Sequence, residues 1–106
     1  MNFRSKYHAK KVEIDGIRFD SKKESERYLE LKLLQEAGEI HDLELQVSFP
    51  LMINGRKICS YRSDFTYKVQ NEKMIVEDVK GYKTPVYRLK KKMFEACYPW
   101  LSIKEI

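Results

Sequence analysis

Apolar and polar residues alternate over residues 12–19, with a break at Asp15-Gly16. Val12 and Ile14 alternate with charges, the Asp-Gly pair supplies a tight turn, and Ile17 and Phe19 return, which predicts a small hairpin. The spacing then becomes helical. Ser21 followed three residues later by Glu24 is a capping box and opens a helix. Tyr28, Leu29, Leu31, Leu33, Leu34 and Ala37 give it a wide apolar face, and Gly38 ends it as a left-handed glycine past the last turn. Alternation resumes in LELQVSFPL, residues 43–51, a predicted strand with Pro50 near its end. Asn54-Gly55 turns the chain into a second strand over 58–69. Residues 70–73 turn it again into a third over 74–80, MIVEDVK. Thr84 as N-cap and Pro85 in the first turn start a second helix. Val86, Leu89, Met93, Phe94 and Cys97 form its apolar stripe, and Pro99 stops it. Residues 100–106 read as a last short strand. The pattern predicts a hairpin followed by α, β, β, β, α, β: a mixed α/β (α+β) domain around a small sheet.

The 106 residues suit one domain over 1–106, with residues 1–20 as a basic arm and hairpin. A hydrophobic content of 42% is enough for one core, and 35% charged residues imply a wet, charged surface. No apolar run approaches the roughly 20 residues that cross a bilayer. The basic N-terminus has no apolar segment behind it, so it is no secretory signal. No membrane association and a cytoplasmic location are the expectations. Cys59 and Cys97 are far apart without CxxC spacing, and read as reduced core residues. His8 and His41 have no second histidine or cysteine at ligand spacing, so no metal is assigned to either.

The net charge of +5 is unevenly spread. Arg4, Lys6, Lys10 and Lys11 crowd the N-terminus without an acid. Lys83, Arg88, Lys90, Lys91 and Lys92 do the same between Gly81 and Met93. Clustered positive charge favours a polyanionic partner, with nucleic acid preferred over a merely solvated surface.

The third strand raises a chemical question, because it ends in Asp78 and Lys80. Side chains alternate across a strand. Met74, Val76, Asp78 and Lys80 therefore share one face, while Ile75, Glu77 and Val79 share the other. On the second strand Arg62, Asp64 and Thr66 lie opposite Tyr61, Phe65 and Tyr67. A turn centred on Asn71 sets Asp64 directly against Asp78, with Cβ atoms about 5 Å apart. Two carboxylates at that separation repel unless a proton or a cation lies between them. A hard divalent ion bound by these acids, with Lys80 beside it and Glu24 brought in by the first helix, suits metal-assisted phosphodiester hydrolysis. The competing reading pairs Asp64 and Asp78 with Arg62 and Lys80 as exposed strand-end ions, and leaves Glu24 as a capping residue.

An acid on a first helix, a strand Asp, then (D/E)-x-K on the next strand and a helix resembles the PD-(D/E)XK nuclease superfamily. FDSKKESERYLEL, YRSDFTY and VEDVKGYKTPVYRLKKKMF are similar to a family of small phage and prophage proteins within it. The resemblance covers nearly the whole chain and implies a restriction-endonuclease-like α-β-β-β-α-β core. It implies Asp64 and Asp78 as metal ligands, the Val79 carbonyl as a further ligand, and Lys80 orienting water or stabilising developing charge. Glu24 matches the helical glutamate, with Glu26 the alternative. Mg2+ or Mn2+ is the implied cofactor. Ser63 departs from the pattern, which often has proline before the first strand acid.

Lys83, Arg88, Lys90 and Lys91 are the candidate DNA contacts, against the plainer reading of a solvated helix face. Tyr82 and Tyr87 either stack on bases or pack on the sheet. The expected function is a metal-dependent DNA endonuclease of phage or prophage origin, acting in a bacterial host on double-stranded or branched DNA such as Holliday junctions. A homodimer is expected, since two symmetric cuts need two sites. The alternatives are a non-catalytic DNA-binding module on the same fold, or an interaction protein of a phage replication or recombination complex.

Overall fold

The structure is a computed structural model that describes residues 11–106. Arg4, Lys6, His8 and Lys10 of the basic arm lie outside the described residues. Strands β1 (Val12–Ile14) and β2 (Ile17–Phe19) pair antiparallel with Val12 opposite Phe19. Their turn needs two left-handed residues, which Asp15 (φ 55°) and Gly16 (φ 76°) supply.

Helix α1 (Lys22–Glu36) opens as the sequence predicts, with the Ser21 hydroxyl accepting the Glu24 N–H at 3.1 Å. Gly38, at φ 81°, follows its end. The buried face is narrower than the leucine pattern suggests. Tyr28 and Leu31 are buried, but Leu29, Leu33 and Leu34 are exposed. The helix packs on β1, β2 and the next strand, and its chain stays exposed from Leu33 to Glu39, so those leucines meet no layer.

Six more strands and a second helix follow: β3 (His41–Leu45), β4 (Ser48–Ile53), β5 (Arg56–Arg62), β6 (Phe65–Lys68), β7 (Met74–Asp78), α2 (Pro85–Cys97) and β8 (Ile103–Glu105). The central sheet runs β3-β6-β7-β8, with β8 parallel to β7 and the other pairs antiparallel. The strands expected over 43–51 and 58–69 are each bent into two. At the bend Gln46 takes φ 54°, its N–H donates to the Asp64 carbonyl at 3.0 Å, and Ser63 N–H donates to the Val47 carbonyl at 3.0 Å. Beyond it β4 and β5 leave the sheet as a separate two-stranded ribbon, turned at Asn54-Gly55. Pro50 is tolerated inside this ribbon because it has no second neighbour to supply with an N–H.

Each side of the sheet carries a core. Phe65 and Tyr67 pack with Phe19, Tyr28 and Leu31 under α1. Val76 and Ile103 pack with Leu51, Tyr61, Tyr87 and Phe94 under α2. The stripe predicted for α2 is rotated: Tyr87 and Phe94 are buried, whereas Val86 and Leu89 are exposed. Aromatic contact explains this, because the Phe94 ring lies 5.0 Å from Phe49 and 5.2 Å from Tyr61 between centroids. Cys59 and Cys97 are free thiols on that core. Among the described residues, no helix is long and apolar enough to cross a membrane.

Candidate functional site

The β6–β7 register matches the sequence-based expectation, pairing Phe65 with Glu77 and Lys68 with Met74 around a turn at Asn71. Continued by one residue, it brings Asp64, in the bend, against Asp78 at the end of β7. Glu77 points the other way, as alternation requires. It is fully buried against α1, accepting from Arg27 Nε at 2.8 Å and Nη2 at 2.6 Å and from the Tyr67 hydroxyl. Arg27 lies one turn after Glu24, so this ion pair sets the first turn of α1 beside the strand ends.

Asp78 is 2% exposed, and its two oxygens differ. Oδ2 accepts the Tyr61 hydroxyl at 2.5 Å. Oδ1 is buried without a hydrogen-bond partner and faces Lys80 Nζ at 3.3 Å. Asp64 Oδ2 accepts the Val79 N–H at 2.7 Å. Burial pushes the Asp64 carboxyl up to about 6; the Val79 N–H opposes this, the Asp78 charge adds to it, and Lys80 opposes it. Glu24 is pushed up to about 7, first by burial and then by the charges of Asp64, Asp20 and Asp78. The site is therefore a wall of carboxyls that disfavour one another's charge.

All four residues read as catalytic, Glu24, Asp64, Asp78 and Lys80, meet here. Glu24 is buried and Glu26 is exposed, so the helical acid at the site is Glu24. Val79 contributes its N–H, a contact the sequence reading did not foresee. Ser63 has a physical reason to differ from proline: its N–H is spent on Val47, and its hydroxyl donates to the same carbonyl at 3.2 Å. Lys80 is also steadied from two sides. Its ammonium lies 4.5 Å from the Tyr87 ring centroid, and its carbonyl accepts from Lys23 Nζ at 3.3 Å.

Tyr61 is the site residue that alternation missed. Strict alternation puts it opposite Asp64, with Phe65 and Tyr67. The bend at Ser63-Asp64 resets the parity, so Tyr61 enters the Asp78 side and the α2 core. No glycine or proline marks the bend in the sequence, which leaves no local signal to find it by.

Lys83, Arg88 and Lys91 share a cleft of about 540 Å3 with Lys92, Tyr87, Glu95 and Glu105. Lys90 does not line it. The stretch free of acids in sequence is not free of them in space. Glu105 Oε1 lies 2.9 Å from Lys83 Nζ, and Oε2 lies 3.7 Å from Lys91 Nζ and 2.7 Å from the Tyr87 hydroxyl that donates to it.

A second group of ligand atoms lies at the far end of β3. His41, Asp42 and Glu72 have ligand atoms all within 4.8 Å of one another and could hold a metal ion. His41 has no second histidine or cysteine at ligand spacing; its neighbours here are acids, Asp42 next to it in β3 and Glu72 in the turn after β6. All three are exposed, and Lys68 Nζ already stands 3.6 Å from Asp42 and 3.7 Å from Glu72. Among the described residues, the ligand atoms of Glu24, Asp64 and Asp78 do not all lie within 4.8 Å of one another.

A family model described as a protein of unknown function, DUF1064, matches residues 4–106. No curated protein and no solved structure matches the chain.

Proposed function

We propose that this chain, which belongs to the DUF1064 family, is a metal-dependent DNA endonuclease of the PD-(D/E)XK kind. The observation that carries the reading is Asp78 Oδ1, a buried carboxylate oxygen with no hydrogen bond, beside Asp64 and 3.3 Å from the Lys80 ammonium. The ammonium offsets its charge, but a buried carboxylate oxygen that accepts no hydrogen bond still has lone pairs a ligand can complete. The donors at the site are carboxylate oxygens, which suit a hard ion such as Mg2+ or Mn2+. Asp64 and Asp78 would hold it, with the Val79 carbonyl as the further ligand the resemblance implies and Glu24 beside the two acids. Such an ion, when bound, acidifies a coordinated water and offsets charge on a phosphate.

The chain's own residues do the rest. Tyr61 fixes Asp78 by one oxygen, and Val79 N–H fixes Asp64 by one. Lys80 places a positive charge beside Asp78, where a scissile phosphate oxygen or attacking water would lie. Lys83, Arg88 and Lys91 flank the strand end and suit the phosphates that follow. The succession α1, bent strands, β7, α2 and a β8 parallel to β7 supports the superfamily reading. A junction-type substrate and a homodimer go with it.

The test is cutting of supercoiled plasmid and of a four-way junction, with Mg2+ or Mn2+ and with EDTA. Wild type should cut only with metal. Asp78→Ala and Lys80→Ala should each lose on the order of a hundredfold or more. A folded wild type that binds either DNA but never cuts it would establish the binding module instead.

A further inference from the structure

We infer that Tyr87 is a positioning residue for Lys80, and that Glu105 locks it in that role. The inference rests on the nuclease reading for its kinetic part alone. Lys80 follows the end of β7 and has a long flexible stem, whose freedom works against a fixed ammonium. Its Nζ is nevertheless held between two surfaces. Asp78 Oδ1 lies 3.3 Å away, and the Tyr87 ring centroid 4.5 Å away. An ammonium over a tyrosine face is attracted by the ring quadrupole, more so where water is thinned out.

The ring can serve as a platform only if it is itself immobile, and the structure holds it at both ends. Its backbone N–H donates to the Thr84 hydroxyl at 3.1 Å, in the N-cap of α2. Its body is buried in the α2 core. Its hydroxyl donates to Glu105 Oε2 at 2.7 Å. Glu105 is in turn fixed by β8, where it pairs in register with Asp78 and where Ile106 N–H donates to the Asp78 carbonyl at 3.0 Å. The strand that ends in Asp78 thus also anchors, through its parallel neighbour, the ring under the lysine.

Glu105 has a second set of partners, Lys83 and Lys91. Removing its carboxylate therefore has two opposed effects. The Tyr87 ring loosens, so Lys80 is placed less well. Lys83 and Lys91 are freed for phosphate, so DNA binds more tightly. A residue that merely supported the fold would not push these two quantities apart.

The experiment combines proton NMR of Lys80 with cleavage kinetics on a DNA duplex under saturating Mn2+. In wild type, the Lys80 ε-methylene protons should be shifted upfield by the Tyr87 ring. Tyr87→Phe, which keeps the ring but loses the hydroxyl that Glu105 accepts, should weaken that shift as Glu105→Ala does, and Tyr87→Leu should abolish it. Tyr87→Leu should also lower kcat roughly ten- to a hundredfold with KM nearly unchanged. Glu105→Ala, at a part-exposed position that opens no core cavity, should weaken the upfield shift, lower kcat and lower KM. An unshifted Lys80 in wild type overturns the inference, as does a Glu105→Ala protein with wild-type kcat. If wild type fails to cut with metal, the nuclease reading falls, and the ring-current shift still decides whether Tyr87 places Lys80.

Discussion

At Asp78 the two oxygens of one carboxylate occupy different surroundings, and the difference has measurable consequences. Tyr61 takes one oxygen, which leaves the other buried toward Lys80 and Asp64. Asp78→Asn removes one of the mutually repelling charges. It should raise the melting temperature of the metal-free protein near about pH 8 while abolishing the further rise on adding Mg2+. A metal-free Asp78→Asn protein that melts below wild type at that pH would count against repulsion at the site. The neighbours give the pH dependence. Glu24 moves from 4.5 up to about 7 and Asp64 from 3.8 up to about 6, so the folded chain binds these protons more tightly than the unfolded chain. Their contribution to stability is full below the ordinary carboxyl range and is lost as pH rises toward about 7. Thermal melts of metal-free protein should show this fall, and Glu24→Gln should flatten it. Mg2+ should stabilise more at about pH 8 than at about pH 5, where protons occupy the carboxyls it needs.

The elements are tied together by a contact on the face of β7 opposite Asp78. Arg27, Glu77 and Tyr67 form a buried ionic group between α1 and β7. Glu77→Ala strands the guanidinium and should cost roughly 3–5 kcal/mol in urea unfolding. Pairing Arg27→Met with Glu77→Leu should recover much of that, since an apolar pair needs no compensation. The local cues at element ends were legible: Ser21, Gly38, Asn54-Gly55, Thr84-Pro85 and the Asn71 turn each stand where the sequence puts them. These depend on backbone chemistry within a few residues. What failed depends on distant partners. Leu33 and Leu34 look like core residues until it is known that no layer lies above them. The α2 stripe is set by Phe49 and Tyr61, residues far away in sequence. The acids could be paired from the register alone, whereas Tyr61 could not, because a bend without glycine or proline reverses its side.

Across the whole molecule, positive charge is arranged by the fold and not by the sequence runs. Lys83, Arg88 and Lys91 gather in one cleft with Glu95 and Glu105, while Lys90 stands outside it. Duplex binding in EDTA should weaken steeply with salt. Replacing Lys83 and Arg88 together by alanine should reduce the log–log salt slope by about two, whereas Lys90→Ala should leave it nearly unchanged. Equal slopes for all three proteins would put the DNA elsewhere. The bend at Ser63-Asp64 has a separate implication for how such a chain can diversify. The ribbon β4–β5 leaves the sheet at the residue that carries the first acid, and its ladder beyond that point belongs to no other strand. It can be lengthened or trimmed by residue pairs at Asn54-Gly55 without turning Asp64 away from Asp78. That makes the ribbon tip a grafting point where a new loop can be installed while the carboxylate site stays untouched.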